Sequence, residues 1–240
     1  PRQREEIRWA SQQTRDFMTD CIPVITLDGP AASGKGTIAS RVADALGFHY
    51  LDSGALYRIA TLDALSKGID LDDAQALTAA AQGLSPVFEG GRILLDGRDV
   101  TTAIRAEEVS SATSRVAVVP GVRAALFALQ KNADRLPGLV ADGRDMGTVV
   151  FPEAPLKVFM TATARVRAER RYCQLLERGE TADLEALTAD LEERDRRDSQ
   201  RATAPLKPAE DARLLDTSCM GIEEVVKKVL EWWDETKKLS

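Results

Sequence analysis

From Pro23 onward, short apolar runs alternate with longer stretches in which apolar residues recur at helical spacing. The runs are VITLD at 24–28, FHYLD at 48–52, GLVAD at 138–142, LKVFM at 156–160 and RLLDT at 213–217, each flanked by helical sequence. Runs that are continuous rather than alternating suit strands covered on both faces. The pattern therefore predicts an α/β fold in which a five-stranded parallel sheet is wrapped by helices in three layers. One helix is expected from about Thr37 to Leu46, with Ile38, Val42, Ala45 and Leu46 on its apolar side. The last helix is the most sharply drawn. Ile222, Val225, Val226, Val229, Leu230 and Trp233 follow the i, i+3, i+4, i+7, i+8, i+11 stripe of a face packed on a sheet, which makes Trp233 a core residue.

Two stretches depart from this alternation. Between residues 84 and 102 the pieces PVFE, RILL and RDV are separated by Gly90-Gly91 and Asp96-Gly97, and predict a small antiparallel insert of three strands. Helical sequence follows over about 104–117 and 121–136, stopping at Pro137-Gly138. Residues 1–22 stand apart. Ile7, Ala10, Thr14, Phe17 and Met18 fall near one helical face, yet the segment begins with Pro and precedes the first strand, so it reads as an extension, tag or remnant ahead of one domain over 23–236.

With 240 residues, 44% of them hydrophobic, the chain can bury one compact core carrying insertions. Lys and Arg number 32 against 38 Asp and Glu, a net charge of −6 that argues against a nucleic-acid or membrane surface. Any phosphate site must then be local. The cysteines, Cys21, Cys173 and Cys219, are odd in number and far apart, supporting neither a disulfide framework nor a zinc site. No apolar run approaches the roughly 20 residues that span a bilayer, so a cytoplasmic protein is expected.

The first strand leads into GPAASGKGT, Gly29 to Thr37, which contains G-x-x-x-x-G-K between a strand and an amphipathic helix. That context is what a triphosphate cradle requires. Glycines let successive backbone N–H groups turn toward phosphate oxygens, the helix N-terminus adds partial positive charge, and Lys35 reaches the β and γ phosphates. The backbone of Gly29, Pro30, Ala31, Ala32, Ser33, Gly34, Lys35, Gly36 and Thr37 is the expected donor-nucleotide site. Gly36 removes the usual metal-binding hydroxyl, and Thr37 is displaced by one position. Mg2+ is then expected on the phosphates, on water and on a carboxylate at a strand end, for which Asp142 is the candidate. Its alternative role is to cap the turn before Gly143.

A second anion site is suggested further on. Arg194, Arg197, Asp198 and Arg201 lie at i, i+3, i+4 and i+7, continuing the stripe of Leu184, Leu187 and Leu191. A face that turns from leucine to arginine without changing side points inward at something anionic; the alternative is a solvated helix end with an Arg194–Asp198 pair. Phosphoryl transfer needs such a set, because two nucleotides bring several negative charges together and guanidinium forks neutralise them at any working pH. An acceptor that is already a phosphate monoester is largely ionised near neutrality, so no activated nucleophile is required. His49, the one histidine, reads as a strand residue.

Four stretches together, GPAASGKGT, LDSGALYR at 51–58, ADGRDMGTVVFP at 141–152 and ERDRRDSQRATAPL at 193–206, make the chain resemble the bacterial cytidylate kinases among the P-loop nucleoside monophosphate kinases. The similarity runs from about Val24 to Trp233. It implies ATP- and Mg2+-dependent phosphorylation of CMP or dCMP by a monomer. By resemblance, Ser114, Arg123 and Asp145 contact the cytosine, with Ser53 and Tyr57 lining the same pocket. Arg58 and Arg144 hold the acceptor phosphate, Arg194 and Asp198 meet the ribose, and Arg201 is directed at phosphate. Lys35, Arg194 and Arg201 are the expected catalytic groups. The resemblance also implies moving parts, an acceptor-binding region over about 53–136 and a helical lid over about 179–203. The loop itself departs mildly, since relatives often carry Ser and Gly in its middle. Two rival readings remain at this level: a P-loop kinase for another small acceptor, and a GTPase-type switch. The second lacks an Asn-Lys-x-Asp guanine-reading motif.

Overall fold

The computed structural model describes residues 22–89 and 91–239; the amphipathic pattern expected within 1–21 lies outside the described residues. Five parallel strands, β1 (Val24–Asp28), β2 (His49–Asp52), β6 (Leu139–Gly143), β7 (Leu156–Thr161) and β8 (Arg213–Asp216), form a sheet of order β2-β6-β1-β7-β8. Central β1 pairs with β6 through Thr26 and Ala141 and with β7 through Thr26 and Lys157. Every residue of β1 and β6 is buried, which is why both read as unbroken runs. The chain leaves β1 toward β2 on one side and passes from β6 to β7 on the other. A crevice therefore opens at the carboxyl ends of the adjacent β1 and β6, where ligands bind in open α/β sheets.

Alternate residues of the strands feed two apolar layers. On one face Ile25, Leu27, Val140, Val158 and Met160 pack with α1 (Lys35–Leu46) and α8 (Ile222–Leu239), including Trp233. Trp233 meets Phe48 edge-on, with ring centroids 5.8 Å apart. On the other face Val24, Leu51, Leu139 and Ala141 pack with α2 (Ser53–Ser66), α3 (Ala74–Gln82) and α5 (Pro120–Lys131). The insert is the expected three-stranded antiparallel sheet, β3 (Val87–Glu89), β4 (Arg92–Leu95) and β5 (Arg98–Asp99). No single helix among the described residues is long and apolar enough to cross a membrane.

Three boundaries differ from the sequence pattern. The helical stretch at 104–117 is a 3-10 turn, Ala103–Arg105, followed by α4 (Glu107–Val116), because Ala106 adopts an extended ψ of 145°. The stretch expected to reach 136 ends at Lys131, capped by the backbone N–H of Asn132 on Ala128 and Gln130. Finally α7 (Leu184–Ser199), which follows α6 (Ala164–Glu177), stops before Arg201. Arg201 is not on the helical stripe but lies just beyond the helix end, where it is nonetheless buried.

Candidate active site

The loop after β1 delivers the start of α1 into the crevice. A β-carbon on Gly29 would stand 2.3 Å from the carbonyl oxygen of Met160, so only glycine lets the loop leave β1 this close to β7. Gly34 occupies the N-cap position of α1 without a side-chain cap, leaving the first helical N–H groups to an external acceptor. Lys35 is buried and its Nζ donates to the carbonyl of Pro30 at 3.1 Å. Burial first, then the positive charges of Arg144 and Arg194, pushes its pKa down to about 7. An anion beside it restores the charged form. Two arginines of α6 hold the loop: Arg167 donates to the carbonyl of Ala31 at 3.0 Å, and Arg170, which also lines the cleft, to that of Ser33 at 3.2 Å.

Asp142, the penultimate residue of β6, is buried against this loop, and its Oδ2 accepts from the Tyr50 hydroxyl at 3.2 Å rather than from a turn amide. Burial, then the neighbouring Asp52 carboxylate, raises its pKa to about 7. A divalent cation at this position would return the carboxylate to its ionised form. Among the described residues no group of three or more His, Cys, Asp or Glu gathers as a self-sufficient metal site. A single carboxylate facing a phosphate cradle fits the way magnesium is held, by substrate phosphates and water with one or two side chains.

At the other end of the crevice Arg123, from the first turn of α5, and Asp145, after β6, form a buried ion pair. Arg123 also donates to the carbonyl of Ala117 at 3.2 Å and lies 5.5 Å from the centre of the Tyr57 ring. Ser53 and Ser114 are buried beside them. Arg58 donates to Asp52 at 2.6 Å, and the same carboxylate caps α2 through Ala55.

Between the two ends stand the remaining arginines. Arg144 Nε donates to Asp198 Oδ2 at 3.0 Å, so the partner of Asp198 is across the crevice and not Arg194 of its own helix. Burial pulls the Asp198 pKa up, but Arg144, Arg201 and Arg194 outweigh it and hold the carboxyl below its ordinary range. Arg194 is pushed down to about 10 by burial and then by Arg144. Buried Nε atoms of Arg58, Arg194 and Arg197, Nη2 of Arg201 and Oγ of Ser33 have no hydrogen-bond partner among the described residues. Buried donors of this kind call for acceptor oxygens from a ligand. All of these groups line one cleft of about 950 Å³ that runs from the phosphate loop to the Arg123–Asp145 pair. Of the residues singled out by sequence, Gly29 and Pro30 lie behind the loop rather than on the lining.

A sequence model described as cytidylate kinase matches residues 25–235. The chain belongs to the cytidylate kinase family. Relatives carrying that name include one from Cupriavidus pinatubonensis, 54% identical over 217 residues that make up 90% of this chain and 98% of the relative. Another from Cupriavidus necator is 56% identical over 212 residues, 88% of this chain and 96% of the relative. A third, from Burkholderia pseudomallei, is 56% identical over 213 residues, 89% and 93% of the respective chains.

In this member of the cytidylate kinase family the groups around the cleft are held by residues that the sequence pattern does not mark. Tyr50 reads as one more strand residue, and Arg167 and Arg170 sit in RVRAERRY, which looks like a charged, solvated helix face. Arg167 is in fact buried, with Nη1 and Nη2 on the carboxylate of Asp195 and Nε donating to Ala162 at 2.9 Å. The i, i+3 spacing of the two arginines is the signal that could have found them. His49 is a strand residue whose Nε2 donates to the Leu136 carbonyl at 2.9 Å, away from the cleft.

Proposed function

We propose that the chain transfers the γ-phosphoryl group of ATP to CMP or dCMP, with the triphosphate seated on residues 29–37 and the acceptor base at the Arg123–Asp145 pair. The observation that carries the reading is the single cleft joining these two ends, lined between them by Arg58, Arg144, Arg194 and Arg201. Lys35 and the arginines of α7 and its end neutralise charge on the moving group while Arg58 and Arg144 orient the acceptor phosphate. Arg194 and Asp198 meet the ribose. Ser53, Tyr57 and Ser114 complete the base pocket. Asp145 accepts from the exocyclic amino group of cytosine and Arg123 donates to its ring acceptors, whereas uracil presents the wrong polarity to the carboxylate. Bound with the donor, magnesium supplies charge neutralisation on the phosphate oxygens, and Asp142 is the residue that would hold it, through water. On this reading the chain acts as a monomer on small nucleotides in the cytoplasm.

Two ion pairs cross the cleft, Arg144 with Asp198 and Arg171 of α6 with Glu107 of α4. They join the acceptor-binding region over 53–136 and the lid over 179–203 to the rest, and closing these parts over both nucleotides would keep water from the donor. A coupled assay of ADP release across CMP, dCMP, UMP, AMP and GMP tests the assignment. CMP and dCMP are expected to lead; equal use of CMP and UMP removes the role given to Asp145, and tight guanine-nucleotide binding without transfer replaces the kinase reading with a switch.

A further inference from the structure

We infer that Asp28 is a positioning residue for the base-reading pair: by capping the turn that follows Asp145, it releases the Asp145 carboxylate to Arg123. The inference rests on the role proposed for Asp145 above.

Asp28 closes β1, one residue ahead of the phosphate loop, and shares the strand face of Val24 and Thr26. Its two carboxylate oxygens accept separately from the backbone N–H groups of Met146, at 2.9 Å, and Gly147, at 2.8 Å. Those N–H groups open the Met146–Val150 helical turn and have no acceptor within it. Asp145 occupies the cap position of this turn, where an aspartate side chain ordinarily takes such donors. Elsewhere in the chain aspartates at that position do so. Asp52 accepts from Ala55, Asp73 from Gln75 and Ala76, and Asp183 from Ala186. Asp145 caps nothing and meets Arg123 instead. A carboxylate from a strand more than a hundred residues earlier has taken over its local duty.

The turn is also seated tightly on β1. A β-carbon on Gly147 would stand 2.8 Å from Thr26 Oγ1, so the turn cannot slide toward the strand to find other partners. Without Asp28 the two N–H groups would be buried and unpaired, and the Asp145 side chain, at the cap position of their own turn, is the carboxylate placed to take them. Asp145 would then leave Arg123.

Asp28→Asn and Asp28→Ala, Asp145→Asn, and the Asp28→Asn/Asp145→Asn double variant test this. KM and kcat are measured for CMP and UMP at saturating ATP, and KM for ATP at saturating CMP, with circular dichroism and melting curves alongside. Asp28→Asn, which keeps one acceptor oxygen, is expected to reduce the preference for CMP over UMP roughly tenfold. KM for ATP should stay within about twofold, and the double variant should discriminate no worse than Asp145→Asn alone. An unchanged CMP preference, an equal rise in both KM values, or additive losses in the double variant would overturn the inference. So would failure of both Asp28 variants to fold, which would leave the carboxylate a structural one. If Asp145→Asn alone leaves CMP preference intact, it is the reading of Asp145 that falls, whatever Asp28 does.

Discussion

A β-carbon on residue 36 would stand 3.1 Å from Oδ2 of Asp142 and 3.3 Å from the Tyr50 hydroxyl. Both contacts are tighter than ordinary van der Waals contact, and the carboxylate is buried and tied to the phenol. The glycine after Lys35 is thus what allows a carboxylate of β6 to occupy the place where the commoner loop carries a hydroxyl. Gly36→Ala is expected to push Asp142 aside and to lower turnover roughly tenfold, since displacement of a positioned group by a fraction of an ångström weakens alignment. The loss should shrink as magnesium is raised. ADP release measured across a magnesium series checks this; a wild-type magnesium dependence would mean that Asp142 has no part in holding the ion.

Lys35→Met replaces a buried ammonium by an apolar side chain of similar length. Burial already disfavours the charge, so the fold has little to lose, whereas in the proposed transfer the moving phosphoryl group loses one of its fixed positive partners. Turnover is expected to fall by about two to three orders of magnitude, with the circular dichroism spectrum and melting temperature retained. Near-normal turnover in a coupled assay would remove Lys35 from the transfer step.

What the sequence discloses and what it hides follow from how far apart the interacting residues lie. VITLD and GLVAD are legible as strands because burial on both faces makes their apolar runs continuous. The loop at 29–37 and the stretch from Gly143 to Asp145 stand out in the sequence because each is a run of contiguous residues at a strand end. The end of α5 is less legible. Asn132 after the basic Lys131 is a stop signal of its own, but Pro137-Gly138 is the stronger one in the pattern, and the helix nonetheless ends at Lys131 with Asn132 as its cap. Asp28, Tyr50 and Arg167 are hidden for a different reason. Their partners lie 118, 92 and 136 residues away, at Met146, Asp142 and Ala31, and no local pattern encodes such a distance. Arg201 shows the converse error, since helical spacing predicted its burial while the backbone delivers it from beyond the helix end.

The Asp28 carboxyl gives a dependence of stability on pH. Burial raises its pKa from 3.8 to about 6, against the pull of the Gly147 and Met146 N–H groups; Asp145 adds to the rise and Lys35 opposes it. Between those values the folded chain holds a proton that the unfolded chain has released. The stability this group contributes is therefore fully present below about 3.8 and lost as pH rises through about 6, a difference of roughly 3 kcal/mol. Asp28→Asn does not titrate. In urea unfolding of the ligand-free proteins, the free energy of the variant minus that of the wild type should rise by roughly this amount from acid to neutral pH. A flat difference would show that the carboxyl ionises as it does in the unfolded chain.

Ala32 has a φ of 56°, a left-handed backbone that its β-carbon disfavours, at a loop position where the family resemblance often puts glycine. The strain amounts to about 1 kcal/mol. Ala32 packs against the small apolar cluster of Ala31, Ala168 and Leu191, and losing its methyl group offsets a few tenths of the gain. Strain is the larger effect. Ala32→Gly is therefore expected to stabilise the ligand-free protein by about 0.5–1 kcal/mol, a rise in melting temperature of about 1–4 °C for a chain of this size. Because the loop already holds the left-handed geometry, the backbone N–H groups offered to the triphosphate stay where they are, and KM for ATP should not change. A melting temperature that falls would mean that the methyl contact with this cluster outweighs the backbone strain.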